Sequence, residues 1–312
     1  MSAEPPAPAA PPLGLRPRWH AHRFNRPSLY RLAGALAWLP RPARLRLARA
    51  LGRLAPPLLP VERAAVRKTL GRVTGATGRR LEELTRAVFG DFAMCFGDLV
   101  STNRQPAGRL AAHLGAVQGA EAFAAVDRGL ICLTAHVGNW ELAGRLLAGR
   151  TGRPTRVVVT EDEARALARW VRRNGDGVQF VPRSRATISV ELIAALRRGE
   201  IVAMQGDRAL GGRGDVGVDF FGHPAPFPLG PFRLARAAGV PVVPAFCLLR
   251  ADARYAVTVG APLTVRAGGE AEALASWVAG LEAIVRRHPT QWFNFFDLWS
   301  PWAAEPGCAV PR

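Results

Sequence analysis

The residue pair of this chain that could support general-base catalysis is His136 and Glu141. An apolar run ends just before the histidine, and Gly138 and Asn139 lie between the two residues. Residues five apart on one ideal helix point about 140° from each other, at roughly 100° per residue, so this pair can meet only across a turn. We therefore predict a strand over residues 130–134, a turn that the glycine permits, and a helix that Asn139 caps and that carries Glu141 in its first turn.

The chemistry of such a pair is proton abstraction from a hydroxyl or an amine. Neutral imidazole accepts the proton, while the carboxylate fixes the ring tautomer and stabilises the imidazolium that forms. No serine or cysteine nucleophile is needed if the substrate brings its own hydroxyl. The alternative is that His136 is a strand-end histidine bound to a backbone carbonyl and that Glu141 is an ordinary first-turn acid, which an isolated pair at this spacing would favour.

Residues 136–141 read His-Val-Gly-Asn-Trp-Glu, and these neighbours favour catalysis. The string resembles the H-x-G-N-W-E form of the H-x4-D/E motif in the lysophospholipid acyltransferase superfamily, specifically the late acyltransferases of lipid A biosynthesis. The resemblance implies that His136 is the base and Glu141 its acidic partner. It also implies that an acceptor hydroxyl attacks the thioester of an acyl-carrier-protein or acyl-CoA donor, with no metal and no bound cofactor.

A second strand ends in a polar turn that contains Gln205, Gly206, Asp207 and Arg208. By the same resemblance, this turn receives the polar or phosphorylated acceptor. Arginine can hold a phosphate through two parallel hydrogen bonds, and Asp207 could hold Arg208 or the headgroup. The alternative is a surface turn in which Asp207 and Arg208 only pair with each other. Our candidate substrate-binding residues are Asn139, Gln205, Asp207 and Arg208.

Beyond residue 119 the chain alternates apolar strand-like runs with helical patterns. This rhythm predicts an α/β fold, with a largely parallel central sheet flanked by helices and catalytic turns at the carboxyl ends of strands. The predicted strands are 130–134, 156–160, 178–181, 201–205, 242–249 and 255–259. The predicted helices are 61–71, 80–100, 139–147, 162–174, 187–198, 230–238 and 270–287. Four phenylalanines could line an acyl groove, although aromatic residues at such spacings are more often core: Phe220, Phe221, Phe227 and Phe232.

A basic and apolar segment, residues 18–59, precedes this α/β region. Its longest uncharged stretch, residues 32–40, is too short to span a bilayer. We predict an amphipathic helix of the kind that lies in a membrane interface, and the aromatic residues of the segment favour that location. The alternative is a helix packed against the domain with a solvated arginine face. The predicted apolar positions are Leu47, Ala50, Leu51 and Leu54, and the basic ones are Arg46, Arg49 and Arg53.

The 312-residue chain has 42 lysines and arginines against 24 acidic residues, a formal net charge of +18. Such an excess indicates an anionic partner. We expect as partners an anionic membrane lipid, a glycolipid or phospholipid acceptor, and the acyl carrier protein or CoA thioester. A nucleic-acid partner is not expected, because no nucleic-acid-binding motif is present. The expected location is the cytoplasmic face of the inner membrane, as a peripheral or monotopic protein.

Four regions are predicted along the chain. Residues 1–17 form a disordered Pro/Ala-rich terminus, 18–59 the membrane-associating helices, 60–299 the acyltransferase domain, and 300–312 a tail. The predicted function is acyl transfer to a hydroxyl of a lipid A precursor or related glycolipid. The alternatives are acylation of another phospholipid or glycolipid, such as a phosphatidylinositol mannoside, and a non-catalytic basic membrane-binding protein.

Overall fold

The computed structural model describes residues 27–102, 112–140, 142–143, 151–159, 177–184, 186–209 and 214–299. The strands in this part of the chain are β1 (Leu114–Gln118), β2 (Leu130–Thr134), β3 (Thr155–Val159), β4 (Val178–Pro182), β5 (Ile201–Gln205), β6 (Asp215–Phe220), β7 (His223–Pro228), β8 (Val242–Leu249) and β9 (Tyr255–Val259). The α-helices are α1 (Pro27–Ala35), α2 (Arg41–Leu54), α3 (Pro60–Thr74), α4 (Gly78–Thr102), α5 (Glu121–Ala124), α6 (Ile188–Arg197), α7 (Gly230–Ala238) and α8 (Glu270–Arg287). Short 3-10 turns cover Leu36–Trp38, Pro56–Leu58 and Pro289–Gln291. The predicted segments 1–17, 162–174 and 300–312, and most of 139–147, lie outside the described residues.

Seven strands form one sheet in the order β1-β9-β8-β2-β5-β3-β4. Neighbouring strands are parallel except for β8 and β9, which are antiparallel. The middle strands β2 and β5 each have five residues and are almost wholly apolar. This composition is usual for strands of parallel sheets, because both of their faces are covered. The predicted α/β architecture with a largely parallel central sheet is therefore confirmed.

Strand positions follow the sequence closely where an apolar run is flanked by turn residues. The predicted strands at 130–134, 201–205, 242–249 and 255–259 coincide with β2, β5, β8 and β9. The sequence did not reveal β1 or the β6–β7 hairpin. That hairpin turns through Phe221 (φ 56°) and Gly222 (φ 74°). Two positive φ values are typical of a tight two-residue hairpin turn, but phenylalanine seldom has a positive φ. The sequence around Phe221 therefore gave no indication of a turn.

One face of the sheet is covered by α6, α7 and α8 and holds the largest apolar cluster among the described residues. Leu192 and Leu196 of α6 and Trp277 of α8 pack there, and the Trp277 indole N–H donates to the Leu133 carbonyl over 3.3 Å. The same cluster contains the four phenylalanines considered for an acyl groove: Phe220, Phe221, Phe227 and Phe232. All four are buried, so the expectation that they are core is the one the structure supports.

The N-terminal helices form a layer against α4. At Gly52 of α2 an added Cβ would lie 2.4 Å from the Phe89 carbonyl oxygen and 2.9 Å from the Gly90 Cα, so the absence of side chains lets α2 and α4 approach closely. The face of α2 that packs inward contains Leu45, Ala48 and Gly52. The leucines predicted as its apolar stripe instead point outward. The helix therefore packs against the domain and still presents leucines on its outer side.

These outward leucines belong to a wider patch that we call the N-terminal apolar surface. Its most exposed members are Trp38, 92% exposed, Leu58, 75%, and Leu54, 73%. In the described part of the chain, no helix combines the length and the apolarity needed to cross a bilayer. Over residues 30–102, the exposed large apolar side chains are Leu32, Trp38, Leu39, Leu47, Leu51, Leu54, Leu58 and Val61.

Candidate active site

The register of β2 and β5 brings His136 and Asp207 together. Thr134 and Gln205 are the last residues of these strands and are paired with each other in a parallel arrangement. His136 and Asp207 each follow two residues later, so both lie at the same carboxyl edge of the sheet. Catalytic and ligand-binding residues of open α/β sheets concentrate at this edge.

The Asp207 carboxylate holds His136 at two points. One carboxylate oxygen, Oδ1, lies 2.7 Å from the Nδ1 atom of the His136 ring. The other, Oδ2, accepts the backbone N–H of His136 over 3.0 Å and the indole N–H of Trp292 over 3.0 Å. An ionised carboxylate only accepts hydrogen bonds, so the ring proton is assigned to Nδ1 and the lone pair to Nε2. The histidine is thereby oriented and set in the tautomer that a general base needs.

Asp207 stays ionised although it is buried. Burial by itself would raise the pKa of Asp207, but the charge and hydrogen bond of His136, the charge of Arg208 and the hydrogen bond of Trp292 outweigh it and lower the pKa to about 2. Asp207 is thus a fixed negative charge at neutral pH. A charge placed there stabilises the imidazolium that forms when His136 accepts a proton.

The turn after β2 has the conformation that the sequence predicts. Gly138 has a φ of 58°, and a Cβ on it would lie 2.0 Å from the Cys247 carbonyl oxygen, so glycine is required for two reasons. The backbone N–H of Gly138 donates to the Gln291 carbonyl, and that of Phe293 donates to the His136 carbonyl, each over 2.8 Å. The segment after α8 therefore fixes the backbone of the catalytic turn.

Asn139 caps the following helix, as predicted. Its Oδ1 accepts the Leu142 N–H over 3.3 Å. Its Nδ2 donates to the Cys95 carbonyl over 3.2 Å and to the Tyr255 hydroxyl over 3.0 Å. Asn139 is buried, and these bonds occupy both ends of its amide. The structure therefore places Asn139 as a support of the catalytic turn, whereas the sequence led us to expect a contact with substrate.

A buried polar chain continues from Asn139 to the N-terminal layer. The Tyr255 hydroxyl donates to Asp98 Oδ2 over 2.9 Å. Asp98 is fully buried and also forms ion pairs with Arg41 at 2.7 Å and with Arg44 at 3.3 Å. Both arginines belong to α2, so a single carboxylate links the helix that carries the outward leucines to the residues behind His136.

Replacing Asp98 with asparagine is expected to lower the free energy of unfolding by roughly 3–5 kcal/mol, because Arg44 would remain buried without its counter-charge. Chemical denaturation of both proteins measures the difference. Glu83→Gln is the matched control, since Glu83 pairs with Arg79 on the exposed side of α4. Loss of such an exposed pair is worth less than about 1 kcal/mol. Equal effects of the two changes would show that the Asp98 network contributes little to stability.

The remaining predicted site residues are Glu141, Gln205 and Arg208. Glu141 lies outside the described residues, and its role stays a prediction. Gln205 ends β5 and is partly exposed. Arg208 is also partly exposed; its Nη2 donates to the Phe293 carbonyl over 3.2 Å, and its guanidinium lies 5.7 Å from the centre of the Phe296 ring.

The sequence reasoning missed Trp292 and Tyr255 as parts of the site. Trp292 lies in residues 291–299, a run of aromatic residues that also contains polar ones. The only sign of its role in the sequence was an indole N–H close to those polar residues. Tyr255 begins β9 and gives no sign of its partner, because Asn139 is 116 residues away in the chain. The sequence also assigned Asp207 to the acceptor, whereas its carboxylate is committed to His136 and Trp292.

An apolar cavity of about 480 Å³ lies on the sheet face opposite α6, α7 and α8. Its size is within the range of small-molecule sites, and its lining is mostly apolar. A smaller pocket shares Phe123, Ala143 and Val257 with it and extends to Trp140 and Gln205. The Trp140 ring lies 4.8 Å from the His136 ring, centre to centre. The smaller pocket therefore adjoins the cavity and includes the ring beside the candidate base in its lining.

Comparison with known proteins gives one matching family and several relatives, all of them described as acyltransferases. Residues 29–300 match the family described as bacterial lipid A biosynthesis acyltransferases. Phosphatidylinositol mannoside acyltransferases from two strains of Mycobacterium tuberculosis are each 27% identical over 201 residues, which cover 63% of this chain and 63% of each relative. A protein of the same name from Mycolicibacterium smegmatis is 25% identical over 241 residues, 75% of this chain and 78% of the relative. The match thus spans less than two thirds of the Mycobacterium tuberculosis relatives.

Proposed function

The chain belongs to the bacterial lipid A biosynthesis acyltransferase family, and on that premise we propose that it transfers a fatty acyl chain from a thioester donor to a hydroxyl of a glycolipid. The observation that carries the proposal is the His136–Asp207 pair at the carboxyl edge of the sheet. Asp207 orients His136, and Nε2 of His136 acts as the general base. The donor is an acyl-carrier-protein or acyl-CoA thioester, and neither a metal nor a bound cofactor takes part.

The reaction needs one proton acceptor and no nucleophile from the protein. His136 Nε2 takes the proton of the acceptor hydroxyl while that oxygen attacks the thioester carbonyl. The carbon–sulfur bond then breaks, the ester is formed, and the imidazolium returns its proton to the departing thiolate. Asp207 stabilises the imidazolium between these two transfers. Glu141, the acid of the H-x4-D/E motif, is proposed to assist as a second carboxylate besides Asp207.

The apolar cavity is suited to the acyl chain of the donor. It is lined by residues of α5, β1 and β9, and Trp140, beside His136, lines the smaller pocket that adjoins it. A chain bound there would place its carboxyl end near the base. Arg208, with Gln205 at the end of β5, is proposed to meet the polar part of the acceptor, since a guanidinium suits a phosphate group.

Two acceptor classes are candidates. The family description favours a lipid A precursor. The names of the mycobacterial relatives favour a phosphatidylinositol mannoside. Both are phosphorylated lipids with sugar hydroxyls, so one site chemistry serves either, and the reaction is the same.

The proposal is tested by incubating the purified protein with an acyl-CoA or acyl-carrier-protein thioester and each acceptor lipid. We expect thiol release that depends on the acceptor, and mass spectrometry should show a lipid heavier by one acyl group. Lysophospholipid serves as a third acceptor to separate glycolipid from phospholipid acylation. Thiol release that is absent with every donor and acceptor pair would contradict the proposal.

We further propose that the N-terminal apolar surface rests on an anionic membrane, at the cytoplasmic face of the inner membrane. Exposed leucines and a tryptophan lie beside the arginines of α2, which is the composition of a helix in a lipid interface. The non-catalytic alternative shares this surface but does not require the His136–Asp207 pair. In the proposed enzyme, the membrane at this surface supplies the lipid acceptor, and the His136–Asp207 pair supplies the base.

Changing Leu51, Leu54 and Leu58 to serine is expected to weaken binding to anionic phospholipid vesicles at least tenfold, because each leucine gives up apolar area that would be buried in lipid. Vesicle co-sedimentation measures the affinity. Val190→Ser is the matched control, since Val190 is 71% exposed but lies on α6, away from this layer. Binding that is equally sensitive to both changes, or to neither, would argue against this surface.

A further inference from the structure

Asn294 lies in the backbone segment that connects His136 with Arg208. The preceding residue, Phe293, donates its N–H to the His136 carbonyl over 2.8 Å and accepts Arg208 Nη2 at its own carbonyl over 3.2 Å. Two residues further on, the Phe296 ring lies 5.7 Å from the Arg208 guanidinium. Asn294 is therefore bracketed in the chain by the two residues that contact Arg208, and it is one residue from the contact with the candidate base.

The side chain of Asn294 is buried, and within the described structure neither its Nδ2 nor its Oδ1 has a hydrogen-bond partner in the protein. Asn139 provides the contrast, since it is buried to the same extent, 3% exposed in both cases, and both ends of its amide are bonded. Buried amides without partners destabilise a protein, so native structures contain few of them and each requires an explanation. At Asn294 the contacts of the neighbouring Phe293 with His136 and Arg208 favour a ligand of the acceptor site as that explanation.

We infer that Asn294 binds the polyol headgroup of the acceptor, next to the hydroxyl that His136 deprotonates. An amide offers both donors and an acceptor, and both kinds of group lack a partner here. A sugar or inositol hydroxyl also both donates and accepts, whereas a phosphate would use only the donors and an acyl chain would use neither. The Arg208 and Phe296 side chains, which contact each other beside this segment, are partly exposed, so the headgroup can approach the segment from their side.

This assignment rests on the proposed acyl transfer, and it gives two residues of the acceptor site different roles. Arg208 would bind the phosphate of the acceptor, and the Asn294 amide would form hydrogen bonds with the hydroxyl groups of the acceptor. The acceptor class is accordingly a phosphorylated polyol lipid rather than a simple lysophospholipid. Asn294 then acts by direct contact with substrate, while Asn139 and Asp207 act through the backbone and the ring of the catalytic turn.

The test is Asn294→Leu, which replaces the amide by an apolar side chain of similar size. If the amide is kept for a ligand, we expect opposite changes in stability and activity. Tm should rise by about 2–4 °C because an unsatisfied buried amide is removed. The kcat/KM for the acceptor should fall at least tenfold, while KM for the thioester donor stays the same. A fall in Tm would show that Asn294 is structurally satisfied and would overturn the inference.

Two variants serve as controls. Thr69→Val removes another buried polar group without a partner in the protein, in α3, and should leave acceptor kinetics unchanged. Asn139→Leu removes an amide whose bonds are made, and it should lower Tm. Unchanged acceptor kinetics in Asn294→Leu, with Tm raised, would overturn the inference and leave the proposed function intact.

A binding measurement keeps the inference testable without turnover. Calorimetry with inositol 1-phosphate, glucosamine 1-phosphate and inorganic phosphate compares the two polyol phosphates with the bare anion. The native protein should bind the polyol phosphates at least tenfold more tightly than phosphate, and Asn294→Leu should remove most of that preference. A preference that survives the substitution would contradict a role of Asn294. Absence of acyl transfer in the native protein, with the preference present and lost in the variant, would contradict only the proposed reaction.

Discussion

Replacing His136 with alanine is expected to lower kcat for acyl transfer by roughly 10²–10⁴-fold, which is the usual contribution of a general base. The ring is the only base that the structure holds in the correct tautomer at the carboxyl edge of the described sheet, where Asp207 fixes Nδ1 and leaves Nε2 for the acceptor. KM for the thioester should change little, because the acyl cavity is formed by other residues. Acceptor-dependent thiol release, followed continuously, measures both constants.

Alanine at this position also leaves the Asp207 carboxylate buried without its partner, so the protein could lose stability for a separate reason. His136→Asn avoids this difficulty, since its amide N–H can replace Nδ1 as a donor to Asp207 but cannot accept a proton from a hydroxyl. Both variants should be equally inactive, and the asparagine variant should retain the native Tm more closely. His223→Ala, an exposed histidine in the β6–β7 hairpin, should be fully active. An active His136→Asn enzyme would exclude His136 as the base.

The sequence predicts the central part of the fold because its signals there are local. The strand over 130–134, the positive φ of Gly138 and the helix cap of Asn139 each depend on residues within a few positions of one another. The same holds for β5 and the polar turn that follows it. The two strands that end in polar turns, β2 and β5, were therefore predicted correctly, while the role of the turn residues stays a prediction.

The sequence does not predict which of these residues meet. Asp207 contacts a histidine 71 positions earlier, and this depends on β2 and β5 being direct neighbours in register, Thr134 opposite Gln205. Strand order is a property of the whole sheet, and no local pattern specifies it. Glu141 was selected as the partner because residues 136–141 resemble the H-x4-D/E motif, and its role stays a prediction. Asp207 was assigned to the acceptor site by the same resemblance, to hold Arg208 or the headgroup, whereas its oxygens contact His136 and Trp292.

The N-terminal helix shows a related limit. The spacing of Leu47, Leu51 and Leu54 predicts an apolar stripe, but spacing does not say what covers it. The structure packs α2 through Leu45, Ala48 and Gly52, because glycine and alanine allow α4 to come close, and the leucines remain outside. Of the two alternatives considered for this helix, packing against the domain is observed, while its location in a membrane interface stays a prediction.

Replacing Asp207 with asparagine is the second change for which we expect a very large effect, a fall in kcat of about 10²–10⁴-fold with the fold preserved. In one orientation the new amide would offer its oxygen to Nδ1 of His136 and its NH₂ group to two donors, the His136 backbone N–H and the Trp292 indole N–H. In the other it would donate to Nδ1, which moves the ring proton to Nε2 and removes the base. Both arrangements lose the fixed charge, and the second also loses the tautomer.

The comparison with Glu141→Gln decides which carboxylate orients the base. If Asp207 does so, Asp207→Asn should be the more damaging change, and the amount of Nδ1-protonated ring, seen as a downfield proton resonance, should fall only in that variant. If Glu141→Gln lost more activity and also lost the resonance, the neighbouring glutamate would be the partner and Asp207 a structural group.

The pH dependence of stability gives an independent check of the Asp207 charge. Its pKa in the folded protein, about 2, lies below the ordinary value of 3.8, so ionised Asp207 stabilises the fold above about pH 4. That contribution is lost as the pH falls from about 4 through about 2. The difference in unfolding free energy between the native protein and Asp207→Asn should therefore be largest and constant at neutral pH and should shrink in acid. A difference that is the same at pH 7 and pH 2 would mean that the carboxylate charge does not stabilise the catalytic turn.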